Sequence, residues 1–134
     1  MRVALFQVCV DPRLNHELIR VQIGQQLARR GLHADRIVLV NEIGGNLSGS
    51  FGNALDLFRK EGGKIVLCGV LHHDDCAAAK HGLRQPLEET ARQIEGLLRE
   101  RKVACPVETG TIYTETNHVQ WSGQSERGRL SWTR

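Results

Sequence analysis

The sequence predicts an α/β domain: a mostly parallel sheet flanked by helices, with a late edge strand or hairpin. Two observations carry this reading. Three apolar runs, Val3 to Val10, Ile37 to Val40 and Ile65 to Leu71, are continuous rather than alternating, the pattern of strands buried on both faces. Between and after them lie segments whose apolar residues recur every three or four positions, the period of a helix with one buried stripe. Strand and helix in alternation give parallel strands joined by right-handed crossovers.

Each element has its own signature. The first strand is Val3 to Val10. Leu18, Ile19, Gln22, Ile23, Gln26 and Leu27 then mark a helix, with Asn15 placed to cap it and Gly31 to end it. Ile37 to Val40 is the second strand. The stretch from Gly44 to Ser50 lacks the Gly-Lys-Ser/Thr ending of a nucleotide loop and the spacing of a dinucleotide fingerprint. It reads as a tight turn, with Ser48 or Ser50 capping a short helix marked by Ala54, Leu55, Leu57 and Phe58. That helix stops before Gly62-Gly63. Ile65 to Leu71 is the third strand. Pro86 suits the first turn of a helix carrying Leu87, Ala91, Ile94, Leu97 and Leu98. Val107 to Tyr113 alternates weakly and returns through Thr116-Asn117-His118 to Val119-Gln120-Trp121.

The chain has 134 residues, a length for one domain. Residues 1–122 are expected to form it. The polar tail 123–134 is expected to be disordered or to reach a partner subunit, and Leu130 and Trp132 favour the second. A net charge of +3 is too weak for a nucleic-acid binder, which needs a clustered basic face. The opening Met1-Arg2-Val3-Ala4-Leu5-Phe6 is too brief to span a membrane and lacks a small-residue cleavage site, so a cytoplasmic protein is expected. Four scattered cysteines do not make a disulfide framework. Cys68 and Cys105 read as core or neutral residues.

The chemistry lies in two clusters, Cys9-Val10-Asp11-Pro12-Arg13 and His73-Asp74-Asp75-Cys76. Two thiolates and one imidazole, with an optional fourth ligand, are what a catalytic zinc ion takes. The clusters follow the first and third strands, and the Gly44-Gly45-Asn46 turn follows the second. Ligands of open α/β sheets bind outside the carboxyl ends of the strands, so all three signals point to one edge. Asp11 has two roles open to it. It either ligates the metal, or it pairs with Arg13 and accepts a hydrogen bond from water at the centre. His72 is expected to be solvated or to lie behind the ligands. Asp74 and Asp75 are expected to be loop or helix-cap carboxylates. His16, His33, His81 and His118 carry no spacing signal.

This constellation resembles the β-class carbonic anhydrases, whose signature is Cys-x-Asp-x-Arg at the end of the first core strand and His-x-x-Cys after a later one. Here these are Cys9, Asp11, Arg13, His73 and Cys76. Asn41-Glu42-Ile43-Gly44-Gly45-Asn46 is similar to the family's Asn-x-x-Gly-Asn-type turn. The resemblance covers about Val3 to Ala79. It departs at His72 and Ala77, where the family usually has glycine.

The resemblance implies a parallel-sheet core, a homodimer or higher homo-oligomer, and zinc held by Cys9, His73 and Cys76. It implies a zinc lyase (carbonate dehydratase), in which zinc-bound hydroxide attacks carbon dioxide to give bicarbonate and a proton. Asp11 would orient the hydroxide or block the metal at rest, and Arg13 would hold Asp11. Two other readings stand beside this one. The first is a hydrolase of carbonyl sulfide or carbon disulfide at the same site. The second is a non-catalytic zinc-binding subunit for assembly or sensing, against which the retention of Asp11 and Arg13 argues.

Overall fold

Five strands form one sheet in the order β2-β1-β3-β4-β5. The computed structural model describes residues 1–122; the expectation for 123–134 lies outside the described residues. The strands are β1 (Arg2–Cys9), β2 (Arg36–Glu42), β3 (Lys64–His73), β4 (Val107–Tyr113) and β5 (His118–Trp121). The first four are parallel to their neighbours; β5 returns antiparallel to β4 at the edge. The helices are α1 (His16–Arg29), α2 (Gly49–Lys60), the single turn α3 (Ala77–Lys80) and α4 (Leu87–Glu100).

Burial follows from the apolar pattern. On one face Ala4, Phe6 and Val8 of β1 pack with Ile19, Ile23 and Leu27 of α1 and with Val119 and Trp121 of β5. On the other, Val3 and Leu5 of β1 and Cys68 and Val70 of β3 meet Phe51 and Leu55 of α2 and Ile94 and Leu98 of α4. Helices on both faces explain why β1 and β3 are apolar without interruption. β2 differs from the expectation of a fully buried strand: as the sheet edge it is only half-buried along most of its length.

The chain leaves β1 towards β2 on one side, then crosses back over β1 to lay down β3 on the other. The direction of winding therefore reverses between β1 and β3. Such a reversal opens a crevice at the carboxyl ends of the two strands, where the loops lead away to opposite faces.

Several boundaries depart from the sequence reading. β3 runs two residues beyond Leu71, so His72 and His73 belong to the strand. They are held there by β4, in register with Thr111 and Ile112. α2 begins at Gly49, earlier than its apolar stripe, because the Ser48 side chain accepts from the Ser50 N–H and caps it. Asn15 caps α1 as expected, accepting from the Leu18 N–H at 3.1 Å. Among the described residues no helix is long and apolar enough to cross a membrane.

Candidate metal centre

The crevice between β1 and β3 gathers the predicted ligands. Cys9 ends β1, His73 ends β3, and Cys76 follows three residues later at the start of α3. One ligand atom from each lies within 4.8 Å of the other two, and all three residues are buried. Atoms gathered that closely are within reach of one ion, which takes sulfur at about 2.3 Å and imidazole nitrogen at about 2.0–2.1 Å.

The histidine is prepared for coordination. Its Nδ1 lies 2.7 Å from the Asp74 carbonyl oxygen, to which an Nδ1–H donates. That bond leaves the lone pair on Nε2, which is buried and has no hydrogen-bond partner. An orphaned buried acceptor costs free energy unless something fills it. Two thiolates balance the charge of a divalent cation, and imidazole with sulfur is the donor set of zinc. The residues present therefore fit a zinc ion.

Asp11 and Arg13 stand beside these three. The Arg13 guanidinium grips both oxygens of Asp11, Nε to Oδ1 at 3.0 Å and Nη2 to Oδ2 at 2.8 Å. The Arg13 N–H adds a third bond to Oδ1 at 2.9 Å. These hydrogen bonds hold the Asp11 carboxyl well below the usual range, at about 2. Asp11 Oδ2 is 3.8 Å from His73 Nε2. Of the two roles open to Asp11, the described arrangement has it paired with Arg13.

The turn after β2 is pressed against the same edge. Gly44 and Gly45 are both left-handed, with φ of 68°. A side chain on Gly45 would meet the Leu71 carbonyl at 3.4 Å and the Cys9 nitrogen at 3.6 Å. Those are ordinary contacts, so it is the left-handed dihedral that calls for glycine here. Asn46 then ties the turn to the chain before α4, donating to the Leu83 carbonyl at 2.6 Å and accepting from the Gln85 N–H at 2.9 Å.

Three supports were not legible in the sequence. Asp75, expected to be a loop or cap carboxylate, instead accepts from Arg13 Nη1 at 2.9 Å. The two residues are 62 positions apart, and no feature of the sequence pairs them. Asn117, in the turn between β4 and β5, donates to the Arg13 carbonyl at 3.2 Å and accepts from the Asn15 N–H at 2.7 Å. It braces the loop after Cys9 from the far end of the chain. Arg84 donates to the His73 carbonyl at 3.0 Å. Asp74 accepts from the N–H and hydroxyl of Thr114, which fits its expected loop role.

Of the two expectations for His72, the structure excludes a solvated histidine. It is 6% exposed, and alternation along β3 turns it to the opposite face from His73. Burial, and then the charge of Arg84, push its pKa down to about 4. Cys68 lies in the core as expected, with its thiol raised by a hydrogen bond with Cys105 and by burial.

Strand order, helix placement and the antiparallel edge pair define a β-carbonic-anhydrase-like fold. Solved structures carry the comparison. A carbonic anhydrase from Streptococcus mutans is 18% identical, with 88% of this chain and 80% of that one covered and a TM-score of 0.53. The β-carbonic anhydrase CafA of Aspergillus fumigatus is 11% identical, covering 97% of this chain and 79% of that one, with a TM-score of 0.58. The apo form of a carbon disulfide hydrolase is 14% identical, covering 96% and 82%, with a TM-score of 0.56. No protein-family model matches the chain, and no curated protein matches it in sequence. At such identities the likeness establishes the fold.

Proposed function

We propose that this protein is a zinc enzyme that hydrates carbon dioxide reversibly, giving bicarbonate and a proton. The observation that carries the reading is the meeting of Cys9, His73 and Cys76 where the winding of the sheet reverses, with the Asp11–Arg13 pair alongside. Cys9, His73 and Cys76 would hold the ion, within a single unit spanning residues 1–122. Zinc, when bound, acts as a Lewis acid that brings the pKa of water towards neutrality.

The protein's own groups do the rest. Asp11, kept ionised by Arg13, offers only acceptor oxygens, so it orients a water by taking a hydrogen bond from it. Arg13 fixes the direction of that carboxylate with a two-pronged grip. The Asp74 carbonyl holds the His73 ring in the tautomer that leaves Nε2 free to coordinate. A merely structural ion has no use for the Asp11–Arg13 pair, which favours an enzyme over an assembly or sensing subunit. The assembly that suits this reading is a homodimer or higher homo-oligomer.

A second substrate class has a specific support. The similarity to a carbon disulfide hydrolase admits carbon disulfide or carbonyl sulfide, both linear triatomic molecules like carbon dioxide, at the same site. The test is stopped-flow hydration of carbon dioxide with a pH indicator, using protein of measured zinc content at alkaline pH. Zinc-dependent acceleration is expected. A fully loaded sample without it removes carbon dioxide as substrate, and release of hydrogen sulfide from carbon disulfide then decides the second reading.

A further inference from the structure

We propose that Asp75 is a positioning residue for the Asp11–Arg13 pair: it ties the guanidinium to the His73–Cys76 loop and so keeps the Asp11 carboxylate turned off the metal. The proposal rests on the metal-centre reading above.

Asp11 and Arg13 are two residues apart on one loop, and the Arg13 side chain is 45% exposed. Held only to each other, such a pair would swing together. Arg13 is instead held at both ends. While Nε and Nη2 face Asp11, Nη1 donates to Asp75 Oδ2 at 2.9 Å and Nη2 to the Asp75 carbonyl oxygen at 2.9 Å. The guanidinium thus bridges the two loops that carry the ligands. Its planar fork lets it do so without bending either contact.

Asp75 is itself fixed. Its φ is 50°, in the left-handed region, and in this conformation both its carbonyl and its carboxylate reach Arg13. Asp is among the few non-glycine residues that visit that region readily. Its other carboxylate oxygen takes a bond from Lys80 of α3. The chain of contacts runs Lys80, Asp75, Arg13, Asp11, from one ligand loop to the other.

The consequence concerns a short distance. Asp11 Oδ2 lies 3.8 Å from His73 Nε2, so a small rotation separates a carboxylate beside the metal from one bound to it. An anchored Arg13 holds the carboxylate back. Without the anchor, the guanidinium can follow Asp11 inwards, and only the Arg13 N–H, bonded to Oδ1 at 2.9 Å, still restrains the carboxylate.

The decisive variant is Asp75→Gly, which deletes the carboxylate and keeps the left-handed turn. Protein reconstituted with cobalt(II) reports the donors around the ion through its visible spectrum. Asp75→Gly is expected to shift the spectrum towards an added oxygen donor, with the Asp11-bound fraction rising by about fivefold, the upper end for a partly exposed ion pair. Zinc affinity, read by competition with a chromophoric chelator, should rise with it. The double variant Asp11→Asn/Asp75→Gly should show neither change. Asp75→Asn, which preserves shape without charge, should shift the spectrum the same way by a smaller amount, and it carries the test if the glycine variant fails to fold. Full cobalt binding with an unchanged spectrum and affinity in both Asp75 variants overturns the role of Asp75. Failure of the native protein to bind cobalt or zinc overturns the metal-centre reading itself, and this inference with it.

Discussion

Replacing Arg30 with methionine strands a carboxylate inside the protein. Glu108, in β4, has no exposed surface. One of its oxygens takes hydrogen bonds from Arg30 Nε and from Gln26 Nε2, the latter at 3.1 Å; the other has no partner among the described residues. Arg30 follows the last turn of α1, with its side chain 20% exposed. The pair is therefore unequal. Removing Arg30 leaves a buried anion with one neutral donor, which costs about 3–5 kcal/mol. Glu108→Leu removes the anion instead. The guanidinium reaches water and Gln26 loses one acceptor, at a cost of about 1–2 kcal/mol. Urea unfolding followed by far-ultraviolet circular dichroism resolves the difference. With a slope of about 2 kcal/mol/M, Arg30→Met should lower the midpoint by roughly 2 M and Glu108→Leu by less than about 1 M. Equal losses in the two variants, or a loss below about 1 kcal/mol in Arg30→Met, would refute the claim that the buried charge dominates.

Three further predictions concern the metal centre and its surroundings. Cys76→Ser should lower bound zinc from about one equivalent to near none after dialysis against a weak chelator, since a hydroxyl replaces a thiolate; elemental analysis showing full zinc contradicts the ligand assignment. Asp11→Asn should retain zinc and slow carbon dioxide hydration by about 10–100-fold, the usual cost of losing a group hydrogen-bonded at a metal centre; an unchanged rate removes Asp11 from the mechanism. His72 makes acid stability measurable in the metal-free protein. Its folded pKa of about 4 lies below the ordinary value of 6.5, so between them the unfolded chain binds more protons. The stability it contributes is complete above pH 6.5 and is lost as pH falls towards 4, by about 2 kcal/mol once residual water access is allowed for. In His72→Leu that part of the slope should vanish; an identical pH dependence in the two proteins would count against it.

The sequence discloses those features whose cause is local. Runs such as Ile65 to Leu71 had to be buried on both faces, and caps such as Asn15 and Ser48 sit where their side chains reach the next N–H groups. The cluster of Cys9, His73 and Cys76 was legible because Cys9 and His73 end strands, Cys76 follows closely, and the ends of neighbouring parallel strands meet at one edge. What stayed hidden depends on partners far along the chain. His72 and His73 continue β3 because β4 supplies Thr111 and Ile112 beside them, and no property of two histidines announces that. The half-buried state of β2 follows from strand order, which its apolar residues do not encode. Asp75 reads the same in any loop, and only the fold brings Arg13 to it. Glu108 and Arg30 meet across β4 and α1 in the same way.

The adjacency of β1 and β3 has a thermodynamic consequence. An ion held by Cys9 and Cys76 turns everything between them, including α1, β2 and α2, into a closed ring. In the unfolded chain that ring would forfeit conformational freedom much as a long-range disulfide does. A site built from the ends of neighbouring strands would thus act as a removable crosslink, and metal supply should set how far the molecule resists unfolding.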